Sequence, residues 1–119
     1  MANTSERRID IETVEGVTVA RLLERKILDE ANIEALGQEM FAMVEQDGHN
    51  KIILDFSLVE YLSSAALGKL VTMHKKVQAV GGKVVLCNIQ RDIVDVFKIT
   101  KLDKVLTLCS DLDDALSRF

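Results

Sequence analysis

Ile52, Ile53 and Leu54 follow one another without a polar interruption, and Asp55 and Phe56 close the run. A strand with that pattern has no wet face, so it belongs inside a sheet covered by other elements. After a short loop, Ser63 and Ser64 stand directly before an apolar-periodic segment that starts at Ala65. Two hydroxyls therefore fall at the mouth of a helix, where unpaired backbone N–H groups and the helix dipole favour an anion. A phosphate can be received there without unfolding anything, and such a site suits a switch better than a catalyst.

The rest of the chain alternates strand and helix signals around that segment. Residues 8–14 (RIDIETV) and 17–23 (VTVARLL) are strand-like and flank Glu15-Gly16, where Gly16 can supply the positive φ of a tight turn, which predicts a hairpin. From Asp29 to about Gln46, Ile33, Leu36, Met40 and Met43/Val44 recur at helical spacing, with Asp29 as N-cap and Asp47-Gly48 as the stop. Gly37 in the middle of this helix weakens it by ~1 kcal/mol relative to alanine. The strand at 51–56 precedes a helix from near Ser63, whose predicted buried stripe is Ala66, Leu70, Met73, Val77 and Val80, closed by Gly81-Gly82. Further on lie a strand at Lys83–Asn88, a short helix over 91–98 burying Ile93, Val96 and Phe97, and a strand near 104–108. Ser110-Asp111-Leu112-Asp113 then reads as a capping-box-like start to a last helix.

The order is thus ββαβαβαβα. It predicts a single α/β domain with a mixed, mostly parallel sheet, an N-terminal antiparallel hairpin whose first strand lies at an edge, and about four helices joined by right-handed crossovers. One domain is also what 119 residues can hold, with residues 1–7 expected to be a flexible N-terminus.

Composition excludes several classes. The net charge of −4 argues against a general affinity for nucleic acid, and Lys69, Lys75, Lys76 and Lys83 read as a solvated helix face. The apolar runs are about five residues long against the ~20 that a bilayer helix needs, and MANTSERRIDIE lacks a secretory apolar region. No membrane insertion is expected. Cys87 and Cys109 lie in apolar strand-like contexts (VVLCN, LTLCS) without metal-ligand spacing and read as small core residues, as suits a reducing cytoplasm.

The chemistry of an enzyme is missing. P-loop, dinucleotide and nucleophile-elbow motifs are absent, His49 lies in a polar turn, and His74 falls beside a buried stripe. Neither catalytic activity, metal nor cofactor is expected. Asp55 ends a strand, as the phosphoacceptor of a receiver domain does, but the acidic pair that such domains carry after their first strand is not here. Asp55 is expected instead to support the loop leading to Ser63 by accepting backbone hydrogen bonds.

Three blocks, DFSLVEYLSSAALGKL at 55–70, GGKVVLCNI at 81–89 and VFKITKLDKVLTL at 96–108, agree in order and spacing with one family. The chain resembles the STAS domain family, specifically the anti-sigma factor antagonists of bacteria. That family's pattern is a strand ending in Asp, a hydrophobic pair, then Asp-Ser-Ser/Thr-Gly-Leu, with the serine after the second Asp phosphorylated. Tyr61-Leu62 match the hydrophobic pair, Ser63 takes the Asp position and Ser64 the phosphoserine position, while Leu67 and Gly68 also match. Ala65 and Ala66 depart from the pattern, as does Ser63, which can still cap the helix through its hydroxyl.

The resemblance implies Ser64 as phosphoacceptor, with Ser63 as second choice, supported by Asp55, Ser63 and Gly68. It implies a partner surface of Ser57, Glu60, Tyr61, Leu62, Ala65, Leu67, Asp29 and Asn32, drawn from the 56–64 loop, the first turns of the helix and the 25–32 segment. Asp55 and Glu60 are expected to make that neighbourhood acidic. The implied partners are an anti-sigma factor that is also a serine kinase, whose binding releases a sigma factor, and a serine phosphatase that resets the switch. A monomer or weak homodimer is expected. The alternatives are a free STAS subunit of a membrane transporter system, an unphosphorylated interaction module, and serines that only cap the helix; neighbouring genes separate the first from a sigma-factor switch.

Overall fold

The computed structural model describes residues 8–119; the expectation of a flexible N-terminus at 1–7 lies outside the described residues. Strands β1 (Ile9–Val14) and β2 (Val17–Leu22) form the antiparallel hairpin, turning through Glu15 and Gly16 at positive φ. A two-residue strand β3 (Lys26–Ile27) leads into helix α1 (Glu30–Glu45), and β4 (Lys51–Asp55) follows. A second two-residue strand, β5 (Tyr61–Leu62), leads into α2 (Ser64–Ala79). Then come β6 (Lys83–Cys87), α3 (Arg91–Ile99), a 3₁₀ turn (Leu102–Lys104), β7 (Thr107–Cys109) and α4 (Leu112–Leu116).

The main sheet has the order β1-β2-β4-β6-β7, parallel except for the hairpin pair, with β4 central and β1 at an edge. This is the mixed sheet that the alternating pattern predicts. Beside it lies a small parallel pair, β3 with β5.

Side chains alternate between two cores. Ile52 and Leu54 of β4 join Val84, Leu86 and the buried stripes of α1, α2 and α3. Ile53 joins Val85, Cys87, Cys109 and Ala115 of α4 on the opposite face. Leu70, Met73 and Val77 are buried as the helical spacing demands, but Val80 is 55% exposed and drops out of the stripe. It sits past the end of α2, where the backbone turns toward Gly81 at φ +75°.

Two other boundaries differ from the sequence reading. The strand near 104–108 is shorter and later, because the 3₁₀ turn takes residues 102–104 and Lys101 adopts a left-handed φ of 64° before it. The cap of α4 is shifted by one residue: Asp114 N donates to Asp111 Oδ1 at 2.8 Å, and Ser110 N returns a bond to Asp114 Oδ2 at 3.0 Å. Gly82 does more than close a helix. A Cβ there would lie 2.2 Å from the Asn50 carbonyl oxygen, so only glycine lets β6 start beside β4.

Gly37 has a packing reason of the same kind. A Cβ on it would meet Lys69 Cδ at 2.9 Å, because the Lys69 side chain lies across the bare backbone and reaches Glu34 at 2.9 Å. Lys76 pairs with Glu45 farther along, so α1 and α2 run side by side in the same direction.

Candidate functional site

The small sheet assembles the site. Tyr61 N and Glu60 N both donate to the Arg25 carbonyl, at 3.0 and 2.8 Å, and Ser63 N donates to the Ile27 carbonyl at 3.1 Å. With Lys26 opposite Tyr61 and Ile27 opposite Leu62, the 25–32 segment and the 56–64 loop form one surface. Both helices spring from it, α1 from Asp29 and α2 from Ser63. Since the helices run in parallel, their positive N-terminal ends lie together at this surface.

The two serines are not equivalent. The Ser63 hydroxyl accepts from Ala66 N at 3.3 Å, and its carbonyl takes Leu67 N at 3.2 Å, so it is occupied as N-cap. Ser64 is the first helical residue and is exposed, and no hydrogen bond to its hydroxyl is found among the described residues. The Ser64 and Ala65 amides lie in the first turn, where no helical carbonyl reaches back to them.

Asp55 closes the other side of the loop. Its Oδ1 accepts from Ser57 N at 2.9 Å and from Asn88 Nδ2 at 3.1 Å, tying the end of β4 to the turn after β6. Phe56 and Val59, both fully buried, anchor the loop between these points.

The surface is less acidic than expected. Glu60 Oε1 meets Arg25 Nη2 at 2.7 Å, and this hydrogen bond, aided by the attraction of the two charges, holds the Glu60 carboxyl below the usual range and the guanidinium above it. The face is apolar instead: Leu28, Leu58 and Tyr61 are 51%, 40% and 52% exposed, with Lys26 Nζ 5.6 Å from the Tyr61 ring centre. The sequence places the 25–32 segment and the 56–64 loop on the surface but does not single out Leu28 and Leu58, since apolar side chains in short segments look like core until the pairing of β3 and β5 is known.

Not every residue assigned to the partner surface lies on it. Leu67 is only 4% exposed and packs into the main core, because its position in the helix turns it toward the sheet. Leu62 is half-buried against the same core. Asn32 is half-buried too; its Oδ1 accepts from Arg8 Nη2 at 3.1 Å, and its backbone N–H donates to Asp29 Oδ2 at 3.2 Å. Ser57, Asp29 and Ala65 are exposed, and Glu60 is half-buried. Gly68 is exposed, its carbonyl accepts from Thr72 Oγ1 at 3.1 Å, and a Cβ there would meet nothing, so Ser64, Ala65 and Gly68 give α2 a bare, shallow face at its start.

The remaining reactive groups lie elsewhere. Thr18 Oγ1 and His49 Nδ1 are 3.0 Å apart, and the buried Nδ1 of His74 has no hydrogen-bond partner. No group of three His, Cys, Asp or Glu side chains among the described residues is placed to hold a metal ion. No helix among them is long and apolar enough to cross a membrane.

Among the described residues, a mixed five-stranded sheet flanked by four helices makes this a single α/β domain. The family model described as the STAS domain matches residues 8–115, and the chain belongs to that family. A protein of Thermotoga neapolitana provisionally named an anti-sigma factor antagonist is 32% identical over 103 residues, covering 87% of this chain and 89% of its own. The provisionally named anti-sigma factor antagonist BtrV of Bordetella bronchiseptica is 26% identical over 112 residues, 94% of each chain. The crystal structure of an anti-sigma factor antagonist from Mycobacterium paratuberculosis is similar with a TM-score of 0.80 at 27% identity, covering 92% of this chain and 91% of that one.

Proposed function

We propose that this protein is an anti-sigma factor antagonist controlled by phosphorylation of Ser64. In the unmodified state the apolar surface around Leu28, Leu58 and Tyr61 binds an anti-sigma factor that is also a serine kinase, and binding releases a sigma factor in the cytoplasm. The same partner phosphorylates Ser64, the complex dissociates, and a serine phosphatase restores the binder. The protein acts by association, as a monomer or weak homodimer, without catalysis of its own.

The observation that carries this reading is the division of labour between the serines. Ser63 is committed to capping, and Ser64 is exposed with no hydrogen bond to its hydroxyl found among the described residues. The names of the relatives support the partner class. A phosphoryl group adds about −1.5 to −2 charges and three acceptor oxygens. At a helix start the fold tolerates it, so the charge acts on a partner apposed to the bare face of Ala65 and Gly68.

The reading is tested by titrating an anti-sigma factor kinase of the same organism against the unmodified and the Ser64-phosphorylated protein. Tight binding of the first with loss of binding by the second supports it. Equal affinity for both refutes it.

A further inference from the structure

We propose that Cys87 and Cys109 form a disulfide-forming pair that a peroxide oxidises when α4 lifts from the sheet. The two cysteines are direct register partners on the parallel neighbours β6 and β7. Both point to the α4 face and share one apolar cluster with Ala115. Adjacent strands lie about 4.7–4.9 Å apart, inside the Cα separation of about 4.4–6.8 Å that a disulfide spans. The sheet therefore already holds the two backbones at a separation that a disulfide spans.

In the closed fold both are free thiols, 0% and 7% exposed. Burial, with the Asp55 carboxylate as a further cause, pushes the Cys87 thiol up to about 12, so it stays protonated and unreactive. Burial raises the Cys109 thiol also, and Asp114 and Asp111 add to it, while Arg118 and Lys83 nearby act in the opposite direction. Access therefore depends on α4, a helix of only five residues held by the Asp111 and Asp114 caps. So short a helix is marginal by itself and opens locally more readily than the sheet beneath it.

Once α4 opens, the Cys109 thiolate attacks a peroxide oxygen. The S–O bond forms, the O–O bond breaks, and the departing oxygen leaves as water after taking a proton. The Cys87 sulfur then attacks the Cys109 sulfenic acid; the S–S bond forms, the S–O bond breaks, and hydroxide leaves as water with the Cys87 proton. Two thiols are oxidised and one hydrogen peroxide is reduced.

The bond would fasten the edge strand β7 to β6 at a point that touches the switch loop. Asp55 is the register partner of Cys87 on β4, and Phe56 N donates to the Cys87 carbonyl at 3.0 Å.

Native protein treated with hydrogen peroxide, blocked by alkylation and mapped by mass spectrometry tests the pairing. We expect a peptide linking Cys87 to Cys109, cleaved by dithiothreitol and formed several-fold faster in Asp111→Ala. Ala115→Gly, which weakens α4 through helix propensity without removing a carboxylate, should accelerate it too and separates opening of the helix from the charge change at Asp111. Free thiols throughout, separate sulfinic acids, or a link that forms no faster when α4 is weakened would overturn the proposal.

Discussion

Asn88 donates through Nδ2 to Asp55 Oδ1 at 3.1 Å while its own backbone holds a left-handed φ of 57°. Asparagine tolerates that conformation better than most residues, so the turn after β6 is set to point its amide at the end of β4. The same carboxylate oxygen takes Ser57 N at 2.9 Å, and the loop toward Ser64 departs from there. Asp55→Ala should therefore destabilise the fold by about 1.5–3 kcal/mol, the range for hydrogen bonds to a charged group. The urea midpoint and amide exchange at Ser57 measure it, and unchanged exchange at Ser57 would remove Asp55 from its supporting role.

The stripe of α2 gives a paired prediction. Leu70 is 3% exposed and Val80 is 55% exposed. Leu70→Ala should lower stability by ~2–4 kcal/mol, whereas Val80→Ala should stay within ~0.5 kcal/mol. Equal shifts of the urea midpoint would contradict the placement of α2 on the sheet.

Gly68 separates stability from binding. It lies inside α2 with open space where a Cβ would go. Gly68→Ala should stabilise the protein by about 0.5–1 kcal/mol through helix propensity. Its affinity for the anti-sigma factor should fall, because the bare face beside Ser64 gains a methyl group. Thermal melting and titration calorimetry together decide whether the two effects part in this way.

The Arg25–Glu60 pair predicts a pH response. The Glu60 carboxyl is held below its ordinary value of 4.5, first by the hydrogen bond from Arg25. A depressed folded-state value means the pair favours the fold above that ordinary value and loses its contribution as pH falls through the lowered one. Both side chains are solvent-accessible, so the stability effect is small. The Glu60 carboxyl resonance should titrate below 4.5 in the native protein and move back toward it in Arg25→Ala.

The long elements were legible because their patterns are long. The helical spacing of Ile33, Leu36 and Met40, and the unbroken run at Ile52–Leu54, leave no other way to bury those side chains. The β3–β5 pair was not legible: each strand has two residues, too few for any alternation to show, and only the fold brings Lys26 beside Tyr61. Placement of the helix start was legible from Ser63 and Ser64 themselves. The burial of Leu67 was not, since a family motif records position along the chain and not the direction in which a side chain turns. The neutralisation of Glu60 was hidden for a related reason, because Arg25 stands 35 residues away in sequence.

The central claim is that Ser64, and not its capping neighbour, carries the switch. Its most direct test is phosphopeptide mapping after incubation with the cognate kinase, on the native protein and on Ser63→Ala and Ser64→Ala. Phosphate on Ser64 in the native protein and in Ser63→Ala, with none on Ser64→Ala, is the predicted result. Phosphate on Ser63 alone, or on neither serine, would contradict it.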